Sequence, residues 1–302
     1  MFENAALLQA QFPYAPLIIT FIFGAAIGSF LNVVVYRLPV MMNRSWQEQA
    51  ADIIDEAVND DELMERVRLK LPTYPSPFNL VKPNSTCPSC GTAIKPWHNI
   101  PIVGYLLIRG KCAECQVTVS ARYPIIELAT ALLAVLVVHV MGVTPAAAAA
   151  LILTFGLITL ALIDYDTQLL PDDITLPFLW LGLIVNSFGV MTGFMNAFVG
   201  AIAGYLILWS VFQAFKLITG KEGMGYGDFK MLAMLGAWLG IEAVPLIIVL
   251  SSFAGAIIGL ALIAFGRDKT KPIKFGPFLA VAGFIALLWG DAIISRYLLF
   301  AT

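Results

Sequence analysis

The chain has 302 residues, of which 59% are apolar and 13% charged, with a mean hydropathy of +0.84. Soluble domains run at about 45–50% apolar and about 25% charged, so this composition is that of an integral membrane protein. Eighteen Lys and Arg against twenty Asp and Glu leave a net charge of −2, which provides no basic field for nucleic acid. The two histidines, His98 and His139, form no H-E-x-x-H sequence, which excludes the common helix-borne zinc protease site.

No Lys or Arg precedes Arg37, so the first apolar stretch lacks the basic start of a secretory signal and is predicted to stay as an anchor. A spanning helix needs about 20 mostly apolar residues. The candidates are 17–36, 123–141, 146–163, 174–192, 195–218, 229–241, 243–265 and 275–299. The sixth is short and contains Gly236 and Gly240, so it is expected to be shielded by neighbouring helices or to cross only in part. The predicted fold is an all-α polytopic membrane protein of about eight transmembrane helices, with a small cytoplasmic zinc-binding domain between helices 1 and 2.

With eight spans, 37–122 and the loops 164–173, 216–230 and 266–274 share one side of the membrane. Ten basic residues lie between Arg37 and Arg122. Lys216, Lys221, Lys230, Arg267, Lys269, Lys271 and Lys274 lie in the loops, which leaves only Arg296 elsewhere. The positive-inside rule makes that side cytoplasmic and puts both termini outside. The four cysteines then lie in a reducing compartment, which disfavours disulfides.

Residues 41–70 form a polar insertion in which Ile53, Ile54, Ala57, Val58, Leu63, Met64 and Val67 recur at helical spacing. Eight acidic residues and no basic one between Glu48 and Glu65 disfavour adsorption to an anionic lipid surface. A solvated helical insertion packed on its own domain is expected, ended by Pro72, Pro75 and Pro77.

Cys87-Pro-Ser-Cys90 and Cys112-Ala-Glu-Cys115 form a C-x2-C…C-x2-C pattern whose gap slightly exceeds the usual range of about 15–20 residues. Two tight turns that each present two thiolates can close a tetrahedral zinc site, so Cys87, Cys90, Cys112 and Cys115 are the candidate metal ligands. Four thiolates saturate such a site and leave no place for His98.

Asp164 follows the apolar run Leu151 to Ile163, and Asp228 closes Gly225-Tyr226-Gly227-Asp228 just before the sixth apolar segment. Carboxylates that border hydrocarbon are costly and point to function. If the two meet, they cannot both ionise freely and would share a proton, so that one acts on a water and the other on a peptide carbonyl. The competing reading makes Asp228 a helix N-cap and leaves Asp164 to solvate a helix end. Asp166, Asp172 and Asp173 are expected to cap the fourth helix. Gly24, Gly28 and Asn32 suit close helix packing, and His139 an interfacial or packed position. Glu127 is read either as a partner for a substrate amine or as an acid complementing a helix dipole.

Taken together, these residues resemble the type IV prepilin peptidases, the bifunctional leader peptidases and N-methyltransferases of pilus and type II secretion systems. The resemblance rests on Gly28-Ser29-Phe30-Leu31-Asn32 through Tyr36-Arg37-Leu38-Pro39, and on the double C-x2-C with Trp97, Asn99, Ile100, Pro101 and Arg122-Tyr123-Pro124. It also rests on Asp164 ahead of Leu170-Pro171-Asp172, and on Gly225-Tyr226-Gly227-Asp228-Phe229-Lys230, which looks like the family's G-x-G-D motif. It covers nearly the whole chain except about 41–70.

The resemblance implies an aspartic membrane protease with Asp164 and Asp228 as its catalytic pair. The implied substrates are prepilin and pseudopilin precursors with a short basic leader and a Gly at the cleavage point, followed by a hydrophobic segment usually starting with Phe. It further implies methylation of the new amino terminus from S-adenosylmethionine, in the bacterial inner membrane. No G-x-G-x-x-G fingerprint identifies a site for the methyl donor.

The expected organisation is residues 1–38 as first transmembrane helix, 39–122 as cytoplasmic zinc domain with the acidic insertion, and 123–302 as the membrane-embedded peptidase. The alternatives are a proton- or cation-coupled transporter, or a non-catalytic zinc-containing membrane scaffold. A transporter predicts inverted repeats with acids near mid-membrane. Here both acids lie at one face and no repeat is found.

Overall fold

The computed structural model describes residues 12, 14–58, 60–70, 77–266 and 274–301. Among these the chain is helical, with no strand beyond the isolated bridges Thr86 to Ala93 and Lys111 to Thr118. The helices are α1 (Ala15–Val58), α2 (Asp61–Lys70), α3 (Val103–Leu107), α4 (Arg122–Met141), α5 (Pro145–Thr167) and α6 (Asp172–Ser187). They continue as α7 (Phe194–Thr219), α8 (Tyr226–Leu239), α9 (Ala243–Ala264) and α10 (Gly276–Ala301), with a 3-10 turn at Pro96–Asn99.

Each of the eight predicted apolar segments contains a helix, although the fourth, predicted to run to 192, ends at Ser187. Among the described residues six helices are long and apolar enough to cross a membrane: α1, α4, α5, α7, α9 and α10. The other two are shorter, α6 with 16 residues and α8 with 14, so the expected count of about eight spans is not established. Burial explains how α8 tolerates its length, because ten of its 14 residues are buried in the protein. Arg267, Lys269, Lys271, Pro72 and Pro75, used in the topology and insertion arguments, lie outside the described residues.

The chain divides into two compact units. One carries the residues up to Gly24 and from Ala129 onward, and the other comprises Ala25–Leu128.

In the first unit α8 is the central element. Against α7 the approach is backbone to backbone: a Cβ on Gly236 would lie 2.1 Å from the Gly200 carbonyl oxygen, and one on Gly204 would lie 2.6 Å from that of Leu232. Small residues permit this contact where no hydrophobic effect operates between lipid-solvated helices. Against α6 the fully buried Trp238 lies over Gly182 and donates its indole N–H to the Phe178 carbonyl at 2.8 Å. Asn186 completes that seam by donating to the Ala237 and Trp238 carbonyls and accepting from the Met191 and Thr192 N–H groups. Its capacity is filled, which is what a buried amide requires.

α1 is one 44-residue helix that runs through Pro39 without a break, and its residues from Ala25 onward belong to the second unit. Residues 41–58 of the insertion therefore continue the helix of the first span, and α2 lies in the rest. Ala51 and Met64 are buried, as an insertion packed on its own domain requires. Ile53, Ile54 and Val58 of the same apolar set are exposed. The Arg37 guanidinium is buried and donates to the carbonyls of Asn79 at 2.8 Å and Pro83 at 2.7 Å. Asn32 donates to the Gly28 and Tyr123 carbonyls, both at 3.2 Å.

Candidate active site and metal centre

Asp164 sits in the last turn of α5, which closes at Gln168 in a left-handed conformation, with its N–H bonded to the Asp164 carbonyl. Its side chain does not solvate a helix end: the residue is buried, and Oδ2 accepts the Gly276 backbone N–H at 3.0 Å. That N–H belongs to the first residue of α10, one of the donors a helix N-terminus leaves without an internal partner. A Cβ on Gly276 would stand 2.8 Å from Oδ2 and 3.0 Å from Cγ, so only glycine permits this approach. Lys274 stands beside the carboxylate within electrostatic reach; it donates to the Tyr165 carbonyl and lies 4.9 Å from the Tyr165 ring centroid.

Asp228 is likewise buried. It is not the N-cap of α8: that position is Gly225, and Asp228 is the third helical residue, in the first turn, with its side chain interacting with the Gly225 backbone. A carboxylate there sits at the positive end of the helix dipole. Gly227 is required by packing, since a Cβ would lie 2.8 Å from that of Leu170. Phe229 is fully buried, with ring centroids 5.4 Å from Tyr226, 5.5 Å from Phe212 and 5.9 Å from Tyr205. This aromatic cluster shields the turn that carries Asp228.

Asp164 and Asp228 interact electrostatically, so residues far apart in sequence are brought to one site. Asp172 has a role other than capping. The N-cap of α6 is Pro171, while Asp172 accepts Lys230 Nζ at 2.6 and 2.8 Å, tying the start of α6 to the start of α8. Asp172 and Asp173 both lie in the first turn of α6, where negative charge complements the dipole.

Four sulfurs gather in the second unit. Cys87 and Cys115 Sγ are 3.8 Å apart, Cys90 and Cys112 Sγ are 3.9 Å apart, and all four lie within 4.8 Å of one another. A tetrahedron with metal–sulfur bonds of about 2.3 Å has sulfur–sulfur edges of about 3.8 Å, so the donor set fits a zinc ion held by four thiolates. The two turns are built alike. Cys87 N–H bonds to the Thr92 carbonyl and Gly91 N–H to that of Cys87, just as Cys112 N–H bonds to Val117 and Gln116 N–H to Cys112.

Hydrogen bonds with the Thr92 side chain and backbone bring the Cys90 thiol down to about 6, and the Cys115 and Glu114 backbone lowers that of Cys112. The Val117 backbone acts to lower Cys115, but partial desolvation and the other three sulfurs push it up to about 12. Neighbouring thiolates repel, and a bound cation is what lets all four ionise together. His98 packs edge-on against Trp97, and among the described residues the cluster holds only the four cysteines.

Glu127 lies one and a half turns into α4, too far along to complement the helix dipole. It is buried, and its Oε2 accepts the Ile102 N–H at 2.6 Å. Gly276 and Glu127 are the positions whose contacts the sequence left unassigned.

Two family descriptions match the chain: Bacterial Peptidase A24 N-terminal domain over residues 22–141, and Type IV leader peptidase family over residues 151–260. The chain is 52% identical to the prepilin leader peptidase/N-methyltransferase of Pseudomonas aeruginosa, over 97% of both chains. It is 49% identical to the one from Stutzerimonas stutzeri, over 97% of both, and 48% identical to the one from Aeromonas hydrophila, over 95% of both. No solved structure matches. With two buried interacting aspartates, a four-cysteine cluster and this degree of identity along nearly its whole length, the chain belongs to the prepilin leader peptidase/N-methyltransferase family.

Proposed function

We propose that this protein cleaves the leader peptide from type IV prepilins and type II secretion pseudopilins at the cytoplasmic face of the inner membrane. It then N-methylates the new terminal residue, usually Phe, from S-adenosylmethionine. The observation that carries the peptidase half is the burial of Asp164 and Asp228 together, with Asp164 Oδ2 occupied by the Gly276 N–H. Two carboxyls that interact electrostatically resist double ionisation and can share one proton. The free oxygen of Asp164 takes a proton from water as that water attacks the scissile carbonyl, while Asp228 donates its proton to the carbonyl oxygen. Collapse of the adduct breaks the C–N bond: the proton held by Asp164 goes to the leaving amine, and a hydroxyl proton of the adduct returns to Asp228. The products are a leader carboxylate and a free amino terminus.

The reading extends to the organisation of the chain. Residues 39–122 form the cytoplasmic zinc domain, with Cys87, Cys90, Cys112 and Cys115 holding one structural zinc, and 123–302 form the peptidase. The basic residues on the loops support a cytoplasmic orientation for both. The methyl donor supplies an electrophilic methyl group to the amine that cleavage releases.

The test is to incubate purified protein with a leader-bearing pilin precursor and S-adenosylmethionine and to weigh the product. Loss of the leader with gain of one methyl is expected. An unchanged precursor, in a mixture that a related peptidase processes, contradicts the proposal.

A further inference from the structure

Between the two cysteine turns, residues 95–111 contain Lys95, Arg109 and Lys111 and no acidic residue. The segment is tightly wound. After the 3-10 turn Pro96–Asn99, Ile102 adopts φ 61° and ψ −54°, and the Val103 N–H bonds back to the Pro101 carbonyl at 2.6 Å. This is a γ-turn of the rare positive-φ kind, which is strained for a β-branched residue. Glu127 holds it through the Ile102 N–H, and Gly104 packs so closely on His98 that a Cβ would lie 2.2 Å from the His98 carbonyl oxygen.

Winding the chain this way turns one face of α3 inward and the other out. Gly104 is buried, and the Tyr105 hydroxyl donates to the Val119 carbonyl. On the opposite face Val103, Leu106 and Leu107 stand exposed at 49%, 66% and 63%, with Trp97 and Ile100 exposed beside them. Such an apolar face is costly in water.

The Glu127 contact fixes the level at which this face sits. Glu127 is five residues past Arg122 on α4, a helix long and apolar enough to span, which puts it about 7.5 Å along the axis at 1.5 Å per residue. Ile102, bonded to it, is thereby tied to the entry turns of a spanning helix and not to a part of the chain that stands clear of the bilayer.

We propose that the face formed by Trp97, Ile100, Val103, Leu106 and Leu107 lies in the headgroup–acyl boundary of the bilayer, against anionic phospholipid. An apolar face with basic flanks is the composition that adsorbs at that depth, about 5–10 Å into the boundary, and an interfacial Trp is typical of it. The absence of acidic residues is the matching half of the charge argument. The acidic insertion, in the same unit, has the opposite composition and is excluded from such a surface. Glu127 and the γ-turn therefore position the zinc-binding unit on the membrane surface, level with the start of α4.

The test uses the full-length protein in proteoliposomes containing phosphatidylglycerol, with a benzoylphenylalanine photolabel at Leu106 or Leu107 and, as control, at Ile53. Ile53 is 67% exposed and lies 16 residues beyond Arg37 on α1, about 24 Å along the helix. These side chains are exposed, so the label displaces no packing. After irradiation, lipid adducts at 106 and 107 are expected in at least about tenfold greater yield than at 53, given the depth argued for this face. Equal yields at the three sites overturn the proposal. So do adducts at 106 and 107 to an added pilin precursor or to a second copy of the chain in place of lipid.

Discussion

The Gly276 N–H and Asp164 Oδ2 meet at 3.0 Å across a gap that a Cβ would fill. One oxygen of Asp164 is fixed by the first residue of α10. Substituting Gly276 with Ala is expected to push the carboxylate aside by a fraction of an ångström to about 1 Å. Displacements of that size cost about 100-fold in rate where geometry governs the step. Leader cleavage should fall by about that factor with little change in KM, while methylation of a precleaved peptide persists. Gly255→Ala, whose Cβ would meet Phe278 at an ordinary 3.4 Å, is the matched control and should leave both activities intact.

Gly236→Ala provides the contrast. The new methyl group would be driven into the Gly200 carbonyl at 2.1 Å, a backbone atom that cannot move aside without separating α7 from α8. The expected loss is about 1–3 kcal/mol or more, the range for overpacking a tight core. Thermal unfolding in detergent should show a lowered midpoint, with cleavage and methylation declining together.

The Lys230–Asp172 pair is partly exposed, at 30% and 52% of the side chains, so solvent screening limits it to about 0.5–1 kcal/mol even with both carboxylate oxygens engaged. Its greater effect is to hold the start of α6 against the turn that carries Asp228. Lys230→Met is expected to slow cleavage several-fold and to lower stability slightly. The exchanged pair Lys230→Asp with Asp172→Lys should recover part of the rate. Steady-state cleavage at low and high salt checks this: added salt should narrow the gap between parent and Lys230→Met.

The sulfur–sulfur edges of 3.8 and 3.9 Å predict about one zinc per chain. Thiolates must stay deprotonated to hold the ion, so affinity rises with pH and is lost as protons compete at low pH. Elemental analysis should give one zinc at neutral pH and a falling ratio after dialysis toward about pH 4. Cys87→Ser, at the buried corner of the cluster, should carry no metal at any pH.

The parts of the site that the sequence made legible are those in which chemistry is concentrated in residue types. Two carboxylates bordering apolar helices are conspicuous because burial is costly for them, and paired C-x2-C turns are a recognisable zinc-ligand pattern. Gly276 was illegible because its role is an approach between helices whose bonded residues are 112 positions apart, and a glycine at the start of a helix has no local signature. Glu127 looked like a helix-start acid because its partner Ile102 lies in a loop whose γ-turn cannot be read from its composition. That the first span and the start of the insertion form one helix was not legible, because Pro39 is accommodated within α1. The position of Asp172 suggests capping, whereas Lys230 engages it across 58 residues.

The most direct test of the central claim is cleavage by the Asp164→Asn and Asp228→Asn proteins, each given a leader-bearing precursor in one reaction and a precleaved peptide with S-adenosylmethionine in another. Both variants should leave the precursor intact and still methylate the precleaved peptide, which would show a folded protein that lacks only its peptidase. Cleavage at the parent rate by either variant would contradict the assignment of Asp164 and Asp228 as the catalytic pair.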